Sequence, residues 1–251
     1  MTGGSRSGAV RAFGAQTRME LALSLRQGEQ LLVSIAIPLL LLVFFSLVDV
    51  LPKPDGVDEP VQFLAPGILA LAVMSTAMVS LGIGTGFERQ YGVLKRLGST
   101  PLGRPRLISA KITMVLVVEL IEVAVLVPTA LALGWRPDGT VALVVPAYLL
   151  GTAAFAGIGL LMAGTQRGTV TLAAANGLYL VLLLLGGMII PLSKLPAGIR
   201  MIAELLPAAA LSRCLAAAFE TGVGTATRDW VVLAVWAVAA PALAARFFRW
   251  E

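Results

Sequence analysis

Six long apolar runs divide the chain, at residues 31–48, about 61–84, about 107–133, about 141–164, 170–190 and 230–248, with polar stretches between them. A bilayer core takes about 20 helical residues to cross. None of the runs alternates apolar and polar positions as barrel strands do, and an isolated segment in lipid satisfies its backbone only as a helix. The pattern therefore predicts an all-α integral membrane protein with six transmembrane helices. Before the first run, Phe13, Thr17, Leu21 and Leu25 recur at every fourth position, with Arg11, Arg18 and Arg26 off that line. That spacing predicts a helix lying in the membrane interface, its arginines toward headgroups; a solvated tail is the alternative.

Residues 191–229 are too apolar and too long for a plain connection. Ile199, Ile202 and Leu205 fall at helical spacing, with Pro196 just before this helix and Pro207 just after it. A second short helix, 208–219, follows. Neither is long enough to span, so the region predicts a partly buried re-entrant hairpin before the last span, against the alternative of an amphipathic hairpin on the outer surface. The chain divides into a segment 1–30 with the interfacial helix and a six-helix transmembrane domain 31–251, without a repeat or a soluble domain. The first apolar run begins only at residue 31, and no small-residue cleavage site follows it cleanly, so it is expected to be a retained span.

Composition agrees. Hydrophobic residues make up 58% of the chain and charged residues 13%, about half the usual charged share of a soluble domain, and the mean hydropathy is +0.90. A net charge of +5 would point to nucleic acid in a soluble protein; here it fits basic connections facing an anionic leaflet, and no nucleic-acid partner is expected. With no histidine, Ser-His and Cys-His nucleophile pairs and most catalytic zinc sites are excluded. The single cysteine, Cys214, forms no internal disulfide and reads as a small packing residue. No cofactor or metal is expected in this chain.

The basic residues orient the spans. Thirteen fall in the N-terminal segment, the second and fourth connections and the tail, against six on the other side, where Asp49, Asp55, Asp58, Glu59 and Asp138 collect. Both termini and the connection 87–111 are therefore expected to be cytoplasmic.

Three features carry candidate chemistry. The run "GIGTGF" at 82–87 lacks the lysine and hydroxyl residue of a phosphate-binding loop and closes a span, so its glycines read as packing or bending positions. Glu119 and Glu122 lie three residues apart near the middle of the third span, where a carboxylate costs about 2.5–3.5 kcal/mol on insertion scales for aspartate. Two readings stand: a polar surface for substrate passage or a proton step, or hydrogen bonding between helices, including across a dimer contact. Asn176 in the fifth span is a weaker case of the same kind. In the connection 87–111, Tyr91, Gly92, Val93, Leu94, Lys95, Arg96 and Leu97 mix apolar and basic residues before Gly98 and Pro101 break the segment. Orientation alone asks only for charge, whereas this mixture suits a shallow groove on a soluble partner.

Three stretches together are similar to the permease subunits of the type-2 ABC transporter family, the exporters of drug-resistance and polysaccharide-export type. They are "LALSLRQGEQLLVSIAIPLLLLVFF", "FERQYGVLKRLGSTPLGRPRLISAK" and "GGMIIPLSKLPAGIRMIAELLPAAALSRCLAAAF". They cover about a third of the chain, in the family's order. The resemblance implies a coupling helix between spans two and three, carried onto residues 91–97, with Glu88 and Arg89 as the hinge or ion-pair element at its start. It also implies a separate ABC ATPase subunit holding ATP and Mg, and a second permease subunit in a homo- or heterodimer. The setting is expected to be the cell inner (plasma) membrane, and apolar spans with few charges favour an amphipathic or lipid-like cargo over a free ion. Glu119 and Glu122 are not part of the family pattern. This chain is then a transport subunit and no enzyme itself: a connection of about 25 residues is too short for a folded ATPase. The competing readings are a proton-coupled secondary transporter using Glu119 and Glu122, and a structural membrane partner without transport of its own.

Overall fold

The protein's structure, a computed structural model, describes residues 28–48, 59–98, 104–219 and 227–249. Within them the chain is helical, without a strand: α1 Gly28–Leu47, α2 Pro60–Gln90, α3 Val93–Gly98, α4 Arg104–Ala132, α5 Val141–Thr165, α6 Gly168–Leu185, α7 Ala197–Ala203, α8 Pro207–Phe219 and α9 Thr227–Phe247. The interfacial helix expected before the first span lies outside the described residues.

Five helices (α2, α4, α5, α6 and α9) are long and apolar enough to cross a membrane. The 20 residues of α1 also reach the required length. The short pair α7 and α8 is bent by 82°. Here the two short helices of the predicted hairpin separate. α8 is buried within the protein, with Ala208–Leu211, Cys214 and Leu215 inside, whereas α7 leaves Ile199, Met201 and Ile202 exposed.

α2 and α5 form the centre. α2 is buried along nearly all of its apolar length, and α5 packs along α9, α2 and α8. Small residues set these distances. A Cβ on Gly157 of α5 would fall on the backbone of Ala240 and Pro241 in α9, and one on Gly67 of α2 would fall on the carbonyl of Met188.

Two element ends differ from the sequence pattern. The second span does not stop at Gly84 but continues to Gln90, with Ser75–Ser80 widened into a π-helical segment. Two of its glycines are contact points within the helix: Gly82 faces the backbone of Gly159 in α5, and Gly86 faces the Thr171 side chain in α6. The fifth span stops at Leu185, five residues early. Gly187 turns the chain with φ +68°, and the Ser212 hydroxyl of α8 donates to the Gly186 carbonyl at 2.8 Å. The run 186–190 is apolar because it is buried against α2 and α8, and it does not prolong the span.

Candidate functional site

At one end of the body, α2 ends and the chain turns into α3. Tyr91 closes the helix and Gly92 takes φ +71°, a left-handed conformation that glycine adopts without strain. The turn is fastened from both sides. Arg89 donates from Nη1 to the Ala163 carbonyl at 2.8 Å, satisfying an acceptor in the last turn of α5. Glu88 pairs with Lys111 of α4 at 2.7 Å, and the lysine side chain is almost fully enclosed. The ring of Phe87 stacks on Tyr91, centroids 6.0 Å apart.

Residues 91–97 do not form one surface. Tyr91 is 70% exposed, and Val93, Lys95 and Arg96 are also on the outside. Leu94 is 1% exposed. The sequence reading placed it with the partner-facing residues; the structure turns it inward, where it anchors the short helix. Leu97 extends α3. The corrected outer face is Tyr91, Val93, Lys95 and Arg96.

Beneath this turn lies a cavity of about 660 Å³. Its outer end is lined by Tyr91, Val93 and the Glu88–Lys111 pair, and its inner end by Ser34 of α1, Thr76 of α2 and Val118 of α4.

Glu119 and Glu122 sit deeper, both enclosed at 2% and 0% exposure. They point to different neighbours. Thr152 of α5 lies 2.7 Å from Glu119 Oε2, and Thr76 in the π-helical segment donates to Glu122 Oε1 at 2.6 Å. Ser34 also bonds Glu122. The pair thus ties α4 to α5, α2 and α1 inside one protomer, and the outward-facing neighbours Leu120 and Ile121 occupy the helix surface instead. A dimer contact through these two side chains is removed by their burial, and neither lines the cavity described above. Asn176 is separate from them: it is exposed on α6 and donates to the Leu172 carbonyl of its own helix at 2.8 Å.

At the opposite end, a cluster that sequence reading treated only as scattered charge holds the re-entrant helices. Glu204 accepts from Arg228 at 2.8 Å and lies 3.8 Å from Arg213, which in turn pairs with Asp229. Trp236 of α9 donates to the Leu205 carbonyl at 2.9 Å. These partners are 9, 16, 24 and 31 residues apart in the chain, and no local spacing signals them. Thr76 and Thr152 did carry a signal, as hydroxyl residues midway along apolar spans in a chain with two midspan carboxylates.

Among the described residues no cluster of histidine, cysteine, aspartate or glutamate could hold a metal ion. No curated protein matches the chain. The family model described as ABC-2 type transporter matches residues 11–219, taking in the first five spans, the connection bearing α3 and the re-entrant helices. With apolar helices for repeated crossings and a family match over most of its length, this chain is a membrane-spanning permease of the ABC-2 type transporter family.

Proposed function

We propose that this permease is the membrane half of an ATP-driven exporter, moving an amphipathic or lipid-like substrate outward with energy from a separate nucleotide-binding subunit. The connection bearing α3 faces the cytoplasm and docks on that subunit, and the permease works as a dimer. The observation that carries the reading is the outer face of α3: Tyr91 and Val93 lie exposed beside Lys95 and Arg96 on a turn that is itself fastened to α4 and α5 by Glu88 and Arg89. A partner that pushes on this face moves α2 and α4 through short, charge-assisted contacts rather than through a slack loop. Coupling of this kind is a free energy shared by two sites, so nucleotide at the partner and cargo in the permease bias one conformational equilibrium. The thirteen basic residues on this side support its cytoplasmic placement.

The test is disulfide or bifunctional crosslinking from Val93→Cys in a Cys214→Ala background, with the ATPase subunit co-expressed. Cys214 is buried, so its removal leaves Val93→Cys as the reactive position. A crosslink whose yield changes with ATP is expected. Full expression with no crosslink from Tyr91→Cys, Val93→Cys or Lys95→Cys would return the cluster to a topology signal.

A further inference from the structure

The cavity under α3 has a chemistry of its own. It is bounded within one protomer by α1, α2, α3, α4 and α6. From Tyr91 to Thr76 it follows α2 for about 20 Å at the usual helical rise, so its volume is a long slot and not a sphere. The only charged residues lining it, among the described residues, are Glu88 and Lys111, and they neutralise each other at 2.7 Å. At the inner end the hydroxyls of Thr76 and Ser34 are turned to Glu122, which leaves Val115 and Val118 as an apolar wall.

One lining group is left over. Thr85 is 2% exposed, and its enclosed hydroxyl makes no hydrogen bond among the described residues. The other helical threonines Thr113, Thr129 and Thr165 each donate to the carbonyl four residues back. A buried hydroxyl without a partner is unfavourable by about 1–3 kcal/mol, and Thr85 lines the slot. Next to it, Gly84 also lines the slot, and a Cβ there would meet nothing within 4 Å.

We propose that this slot binds a neutral single-chain amphiphile, with its hydrogen-bonding head at Thr85, whose enclosed hydroxyl turns about the Cα–Cβ bond to meet it, and its chain along Val115 and Val118 toward the middle of the membrane. The volume is within the range of small-molecule sites, about 300–1,000 Å³. The compensated ion pair at the mouth disfavours a net charge on the head, because a third charge would have to compete for a partner already engaged. Such a ligand occupies the slot whose outer end is lined by Tyr91 and Val93, so the site deepens the exporter reading by placing cargo or an effector beneath the coupling face. It rests on that reading for its purpose but not for binding itself.

The probe is a long-chain alcohol carrying a photoreactive diazirine, applied to membranes from cells expressing the full chain without added ATP, with labelled peptides read by mass spectrometry. Labelling at residues 114–118 is expected to saturate and to be displaced by unlabelled alcohol, but poorly by an alkyl sulfate or alkyltrimethylammonium of equal length. Labelling of the outward-facing Leu180 and Val181 should stay unsaturated and so report insertion in every variant. Gly84→Phe should reduce the saturable label at least tenfold. Should that variant fail to insert, Gly84→Leu carries the same expectation. Thr85→Val, which keeps the shape, should weaken the apparent affinity about 3- to 10-fold. Label that the unlabelled alcohol does not displace would mean that bilayer lipid tails fill the slot, and would overturn the proposal. Equal labelling in the Gly84 variants, or equal competition by the charged amphiphiles, would do the same. Failure of the ATPase crosslink would leave these results untouched.

Discussion

Where α7 and α8 enter the body, Glu204 gathers Arg228 and Arg213, Arg213 also pairs with Asp229 of α9, and the cavity left over is about 120 Å³. At the other end, where the chain turns from α2 into α3, the charges are again paired, but a cavity of about 660 Å³ lies directly beneath and Tyr91 stands mostly outside the protein. The difference is one of redundancy. The first end ties three helices together through several ionic contacts and close packing, so losing one contact leaves others. The second holds its outer helix by the buried Leu94 and by one contact each from Glu88 and Arg89, above the slot.

Four substitutions break or sharpen this contrast. Gly157→Leu should have the largest effect, because its side chain falls on the backbone of Ala240 and Pro241 where α5 and α9 meet. A loss of about 3 kcal/mol or more is expected, read as a lowered midpoint of detergent-induced unfolding. A midpoint equal to wild type would mean that the α5–α9 contact is looser than described. Asp229→Asn removes one partner from Arg213, and its expected effect is about 2 kcal/mol, below the range for fully buried pairs because Arg213 is a third exposed. Adding Arg213→Met should recover part of that loss; no recovery would show that the pair does not act as a unit.

Thr76→Val should be milder, about 1 kcal/mol, since it takes one hydrogen bond from the buried Glu122. In a Glu122→Gln background the effect of Thr76→Val should change, and strict additivity in the unfolding free energies would separate the two residues. The smallest stability change, within about 0.5 kcal/mol, is expected for Tyr91→Asp with Val93→Asp, both exposed. That same double variant should uncouple ATP hydrolysis from transport while inserting normally. Retained transport would remove the functional half of the contrast.

The Glu119–Glu122 pair shows where reading from sequence stops. Their position in one apolar helix marked them as unusual, and the spacing of three put them on one side of it. It could not say that Glu119 meets α5 while Glu122 meets α2 and α1, because a helix face three residues wide touches more than one neighbour in a bundle. Leu94 shows the same limit. Val93, Leu94 and Leu97 look alike by composition, and only the packing of α3 against α2 and α4 decides that Leu94 is buried.

The number and type of the spans, the two Pro-bounded short helices and the special character of residues 87–111 were determined by the sequence alone. The reason is that lipid leaves an apolar run only one way to satisfy its backbone, and proline and glycine interrupt that way at fixed points. Tertiary structure decided what each glycine touches, that α8 goes inside while α7 stays out, that Arg213 serves both Glu204 and Asp229, and that Thr85 borders the slot. Those outcomes depend on distances between segments far apart in the chain, and such distances are set by packing the whole bundle.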